Sequence, residues 1–143
     1  VGAERDPLEI AARALRHRDR SRREIETRLA RAGVGEDERT DALDTLERVG
    51  YVDDERFAAA RAEALAGRGF GDEAIRHDLG EQGVTPEAAD TAIDSLVPEV
   101  ERARAIVGRL GRSRKTAAQL ARKGFAEESL ESAVGAELQD LDA

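Results

Sequence analysis

Gly50-Tyr51-Val52-Asp53-Asp54-Glu55-Arg56-Phe57-Ala58 is the stretch from which the fold can be read, because it closes one helical run and opens the next. Gly50 suits a helix C-cap, since glycine enters the left-handed conformation without steric cost. Tyr51 and Val52 are apolar and are expected to tuck beneath the corner. Asp53 or Asp54 then serves as N-cap of a new helix. There its carboxylate accepts from unpaired backbone N–H groups and is favoured by the helix dipole.

On the N-terminal side of this corner, Asp6-Pro7-Leu8-Glu9 opens a first helix, with Asp as cap and Pro at the first helical position. Ser21-Arg22-Arg23-Glu24 is a capping box that opens a second, stopped by Gly33. A third runs from near Glu36 through Ala42, Leu43, Leu46 and Val49 to Gly50. No window alternates with period two, so no strand is expected.

The same three-helix pattern then recurs. With Gly33, Gly83 and Gly124 as register marks, the residues eight before them are Ile25, Ile75 and Thr116, and those four before are Leu29, Leu79 and Leu120. One after stand Val34, Val84 and Phe125; ten after, Leu43, Ile93 and Val134. Eighteen before stand Leu15, Leu65 and Ile106, preceded by Ala14, Ala64 and Ala105, a pairing that implies close helix approach. The expected fold is all-α: three tandem three-helix repeats, residues 1–52, 53–98 and 99–143, forming an elongated, curved, right- or left-wound array. Units of about 45 residues bury little alone and lean on their neighbours. Thr116 should weaken the third core. Ala126 is a poor cap, and the helix ending in Gln139-Asp140-Leu141-Asp142-Ala143 is expected to fray.

Composition supports thin units. Of 143 residues only 3% are aromatic and 40% are apolar, so the cores are aliphatic. With no Cys, disulfides and thiolate chemistry are excluded. No apolar run reaches membrane-span length and no signal peptide is visible, which points to the cytoplasm. The abrupt start at Val1 leaves room for a preceding N-terminal tail. The net charge of −8 argues against generic nucleic-acid binding, yet its distribution is basic, acidic, basic. Arg13, Arg16, Arg18, Arg20, Arg22 and Arg23 face only Asp19. Residues 51–98 carry 4 basic and 11 acidic side chains, whereas 102–126 hold eight basic residues and no acid.

Catalytic candidates are few. His17 and His77 occupy non-equivalent repeat positions on solvent faces, away from the usual roles of histidine. Gly67-Arg68-Gly69-Phe70-Gly71 lacks the Walker spacing and reads as a turn anchored by Phe70. No enzyme activity, cofactor or metal is expected. Two binding classes stand beside each other. A helix-turn-helix DNA reader would need a basic third helix, but Glu36, Asp37, Glu38, Glu87, Asp90, Glu127 and Glu128 make these helices acidic. A helical scaffold for a protein partner suits the separated charge zones.

These residues resemble the RecX family of regulators of the RecA recombinase, over nearly the whole chain. Gly50 to Ala58 is similar to its signature Gly-Tyr-(Leu/Ile)-Asp-Asp-x-x-(Phe/Tyr)-Ala, with Val at position 52. Arg18-Asp19-Arg20-Ser21-Arg22-Arg23-Glu24-Ile25 resembles its first-repeat pattern. Gly69 through Ile75, Leu79 and Gly83-Val84 resembles the second, and Leu120-Ala121-Arg122-Lys123-Gly124-Phe125 the third. The resemblance implies three three-helix repeats that lie in the groove of the RecA nucleoprotein filament. It further implies inhibition of filament growth, ATP hydrolysis, strand exchange and coprotease activity, in DNA repair, recombination and control of the SOS response. Any DNA contact, single- or double-stranded, is confined to the basic clusters. A monomer is expected. Arg16, Arg18, Arg20, Arg22 and Arg23, with Arg109, Arg112, Arg114, Lys115, Arg122 and Lys123, are the expected contacts to filament protein or DNA. The acidic Asp53, Asp54, Asp72, Glu73 and Asp78 would face basic patches of the recombinase. The corner residues Tyr51, Asp53, Asp54, Arg56 and Phe57 are a structural signature first and a partner contact second.

Overall fold

The computed structural model describes residues 6–135. Among the described residues the backbone forms nine helices and no strand: α1 (Pro7–Leu15), α2 (Arg22–Arg31), α3 (Glu36–Arg48), α4 (Asp54–Gly67), α5 (Asp72–Glu81), α6 (Pro86–Asp94), α7 (Glu99–Leu110), α8 (Arg114–Arg122) and α9 (Glu127–Val134). Side chains of Asp6, Ser21, Asp53, Thr85 and Ser113 accept from first-turn amides and start their helices. Five helices stop alike: a glycine of positive φ lets the next amide reach back to a leucine carbonyl, as Tyr51 does to Leu46 at 2.9 Å and Phe125 to Leu120 at 3.1 Å.

The helices pack in consecutive triplets, each around its own core. Ile25, Leu29, Leu43 and Leu46 centre the first, with Ala11, Ala14 and Val52. Ile75, Leu79, Val84 and Ile93 centre the second, with Phe57 and Leu65. Leu120, Phe125, Leu130 and Val134 centre the third, with Ile106 and Val107. The register positions four before and ten after each stop glycine are thus buried in every unit. None of the three clusters spans two units. This is an all-α repeat fold whose units meet through polar contacts and short backbone approaches.

Several local expectations change. Tyr51 is 66% exposed whereas Val52 is 2% exposed. The amides of both residues bond the Leu46 carbonyl, and only the Val52 side chain enters the first core. Ala14 is buried as expected, but Ala64 and Ala105 face solvent, and close approach in the later units falls to Ala58, Ala62 and Ala103. Thr116 is buried with its hydroxyl accepting from Ser113 Oγ at 3.2 Å, so its polar atom is satisfied. Ala126 supplies no side-chain cap, but Glu99 of α7 does: it accepts from the Ala126 amide at 3.1 Å and the Ser129 hydroxyl at 2.6 Å. The expected fraying over 139–143 lies outside the described residues.

Because Leu79 is fully buried, Leu79→Ala is expected to cost about 2–5 kcal/mol in chemical denaturation. Leu8→Ala, at an exposed site, should stay within about 0.5 kcal/mol.

Candidate partner-binding surface

The first basic cluster is largely engaged within the chain. The loop between α1 and α2 brings Arg18 and Arg20 onto Glu24, the third residue of α2, at 2.8 and 3.2 Å. Arg20 Nε also donates to the Ala14 carbonyl at 2.8 Å, tying the loop to the end of α1. Arg22 pairs with Asp44 at 3.1 Å and with Glu47, fastening α2 to α3. Arg23 lies across the stop glycine Gly83 of the second unit and donates to the Glu81 carbonyl. Among the five arginines expected here, Arg16 alone is exposed and has no polar partner among the described residues.

The Tyr51 corner divides its labour. Asp53 caps α4 itself, accepting from the Arg56 amide at 3.1 Å. Asp54 instead accepts from the Arg22 amide at 2.8 Å, capping α2 of the preceding unit. Arg56 holds Asp19 with two bonds at 3.0 and 3.2 Å and donates to the Gly50 carbonyl at 3.0 Å. The Asp19 hydrogen bond raises the Arg56 pKa above its ordinary high value, so this guanidinium stays charged. Phe57 is buried in the second core, which leaves Tyr51 as the outward-facing aromatic of the corner. Of the acidic residues, Asp72 pairs with Arg102 at 2.9 Å, Asp78 with Arg61 at 2.5 Å and Glu73 with Arg76 at 3.4 Å.

In the third unit, Arg112 Nε donates to the Val134 carbonyl, so this arginine closes the end of α9. Lys123 sits at the second junction: its Nζ lies 4.0 Å from the Phe70 ring centroid and donates to the Arg68 carbonyl at 3.2 Å. Arg114 is exposed at the start of α8. Arg109, Lys115 and Arg122 are exposed and have no polar partner among the described residues.

Charge clustering in the sequence missed two arginines that the fold leaves exposed, Arg28 and Arg31. Arg28 and Arg31 follow one another by three residues on α2, so they share a face. With Arg23, Thr27 and Ile10 they line an open cleft whose far wall is Glu81 and Gln82 of the second unit. Arg13, His17, Arg20 and Arg28 line an adjoining cleft between α1 and α2. Arg13, Arg28 and Arg31 are exposed and lack an ion-pair partner among the described residues. The helical spacing of Arg28 and Arg31, rather than the local density of arginine, was the usable signal. No described group of three or more His, Asp or Glu side chains is placed to hold a metal ion. No described helix is long and apolar enough to cross a membrane.

Comparison with known proteins finds two family models on this chain: "RecX, first three-helix domain" over residues 8–46 and "RecX, second three-helix domain" over 53–93. The chain is 35% identical to "Regulatory protein RecX" of Xanthomonas axonopodis pv. citri (strain 306), covering 96% of this chain and 91% of that protein. It is 33% identical to the protein of the same name from Stenotrophomonas maltophilia (strain R551-3), covering 91% and 86%. The fold superposes on the crystal structure of RecX from Lactobacillus salivarius with a TM-score of 0.80 at 18% identity, covering 90% of this chain and 92% of that one.

Glu24 is the acid that organises the first cluster, and it gives that cluster a pH signature. Burial opposes its ionisation, but bonds from Arg18, the Ser21 amide and Arg20 outweigh burial and hold the carboxyl below its ordinary value. A folded-state value below the unfolded one contributes stability that is complete above the unfolded value and disappears as pH falls through the folded one. Thermal unfolding followed against pH should therefore show an acid-side loss of stability that is shallower in Glu24→Gln.

Proposed function

The chain belongs to the RecX family, and on that premise we propose that it binds the RecA recombinase on its nucleoprotein filament and inhibits it. It does so by docking: occupying the filament, it restrains filament growth, ATP hydrolysis, strand exchange and coprotease activity, and performs no reaction of its own. Family membership carries the identity of the partner. The arginines without a partner among the described residues support the mode of engagement, since such surface cations steer and register a complementary acidic surface. The proposed contacts are Arg13, Arg16, Arg28 and Arg31 on the first unit and Arg109, Lys115 and Arg122 on the third, with Tyr51 between them. Arg18, Arg20, Arg22 and Lys123 serve instead to hold the helices and units in place. The three units, 1–52, 53–98 and 99–143, act together as one cytoplasmic, monomeric docking body.

A DNA-reading role through the third helices is disfavoured. The first turns of α3, α6 and α9 present Glu36, Asp37, Glu38, Glu87, Glu127 and Glu128, which a phosphate backbone repels.

Titrating the protein into RecA turning over ATP on single-stranded DNA should lower the rate. An unchanged rate at a several-fold molar excess over RecA would overturn the reading. Charge reversal of Arg28 and Arg31 together should raise the half-inhibitory concentration about tenfold, equivalent to about 1.4 kcal/mol. Circular dichroism should show unchanged helicity, because neither residue holds the fold.

A further inference from the structure

The two junctions between units share one plan. In each, the first residue of the following unit's leading helix caps the middle helix of the preceding unit. Asp54 accepts from the Arg22 amide at 2.8 Å, and Glu99 from the Asp72 amide at 2.7 Å. In each, an arginine in the opening turns of that leading helix reaches back to the start of the capped helix. Arg56 takes Asp19, while Arg102 takes Asp72 at 2.9 Å and the Phe70 carbonyl at 3.1 Å. In each, the following unit's stop glycine lies against the capped helix, Gly83 on Arg23 and Gly124 on Ala74.

The N-cap residue of the middle helix separates them. Ser21 caps α2 and Gly71 caps α5, each twelve residues before its stop glycine. A Cβ placed on Gly71 would stand 2.5 Å from the Gly124 carbonyl oxygen, so only glycine permits this approach. The Gly71 and Glu73 amides then donate to the Lys123 and Gly124 carbonyls at 2.8 and 3.3 Å. At α2 the equivalent Ser21 amide is engaged by Glu24 in the capping box, at 3.3 Å. No backbone-to-backbone bond crosses the first junction among the described residues.

The ion pairs differ in the same sense. Arg102 and Asp72 are 10% and 29% exposed, Arg56 and Asp19 44% and 38%. Among the described residues no apolar core bridges either junction.

We infer that the array swings at its first junction, an ionic hinge that loosens as salt rises, while the second junction holds units two and three as one body. Exposed charges lose their attraction as the Debye length falls from about 10 Å at 0.1 M salt to about 3 Å at 1 M, whereas bonds between neutral backbone groups do not. The hinge is a property of the free protein and stands apart from the identity of its partner.

The chain has no cysteine, so pairs of introduced cysteines can be spin-labelled cleanly. Thr40→Cys with Glu63→Cys reports the first junction, and Glu63→Cys with Ala118→Cys the second, all at exposed positions. Distance distributions from electron–electron double resonance should broaden at least about two-fold for the first pair between 0.1 and 1 M salt, on the screening argument above. The second pair should stay narrow. Arg56→Gln with Asp54→Asn should broaden the first pair already at low salt, with a narrow second pair showing that the neighbouring units remain folded. Equal broadening of both pairs, or a first pair that stays narrow under salt and substitution alike, would overturn the inference.

Discussion

Every α-helix begins with backbone amides that no backbone carbonyl of the same helix can satisfy, and this array depends on how those amides are met. At the middle helix of the first two units, a carboxylate from the next unit accepts from a first-turn amide, adding to the capping box of α2 and supplying the side-chain cap that Gly71 cannot give α5. Asp54 does this for α2 and Glu99 for α5. A cap that comes from a neighbouring unit makes local helix completion and unit-to-unit assembly one event. Since no core crosses a junction among the described residues, these shared caps, the arginines beside them and the glycine approaches define how the units meet.

The charge pattern acquires its meaning from that arrangement. A sequence that alternates basic, acidic and basic zones suggests broad complementary patches, but many of these charges are turned inward on one another. Glu24 gathers Arg18 and Arg20, Arg22 spans to α3, and Arg56 reaches Asp19. The exposed ones among these pairs, such as Arg56 with Asp19, are individually worth about 0–1 kcal/mol. Their consequence here is positional: they fix loops and helix starts, and they withdraw cations from the surface offered to a partner. Of the residues left over, Arg28 and Arg31 lie on one helical face outside the densest run of arginine.

Much of the fold was legible in the sequence because its determinants are local. The capping box at Ser21, the proline after Asp6 and the glycines at 33, 83 and 124 act within one helical turn. The apolar positions four before and ten after those glycines enter the three cores as spaced, whereas Ala64 and Ala105, counted in the same way, face solvent. Tyr51 was misread because apolar character does not say which of two adjacent side chains points inward. The candidate surface was legible only as a list of cations, since a guanidinium's partner can come from any segment that the fold brings near. Asp19 and Arg56 are 37 residues apart, and Arg22 and Asp54 are 32 apart.

By itself, then, the sequence determined the helices, their stops, the three-fold register and the central residues of each core, all governed by i to i+4 hydrogen bonding and by apolar periodicity. Only the tertiary structure decided which carboxylate caps which helix, which arginines remain for a partner, and why Ser21 and Gly71, at the same register position, make different junctions. The physical reason is that those outcomes depend on distances between segments far apart in the chain. At Gly71 the decisive quantity is the missing Cβ, whose absence matters only once Gly124 has been brought against it.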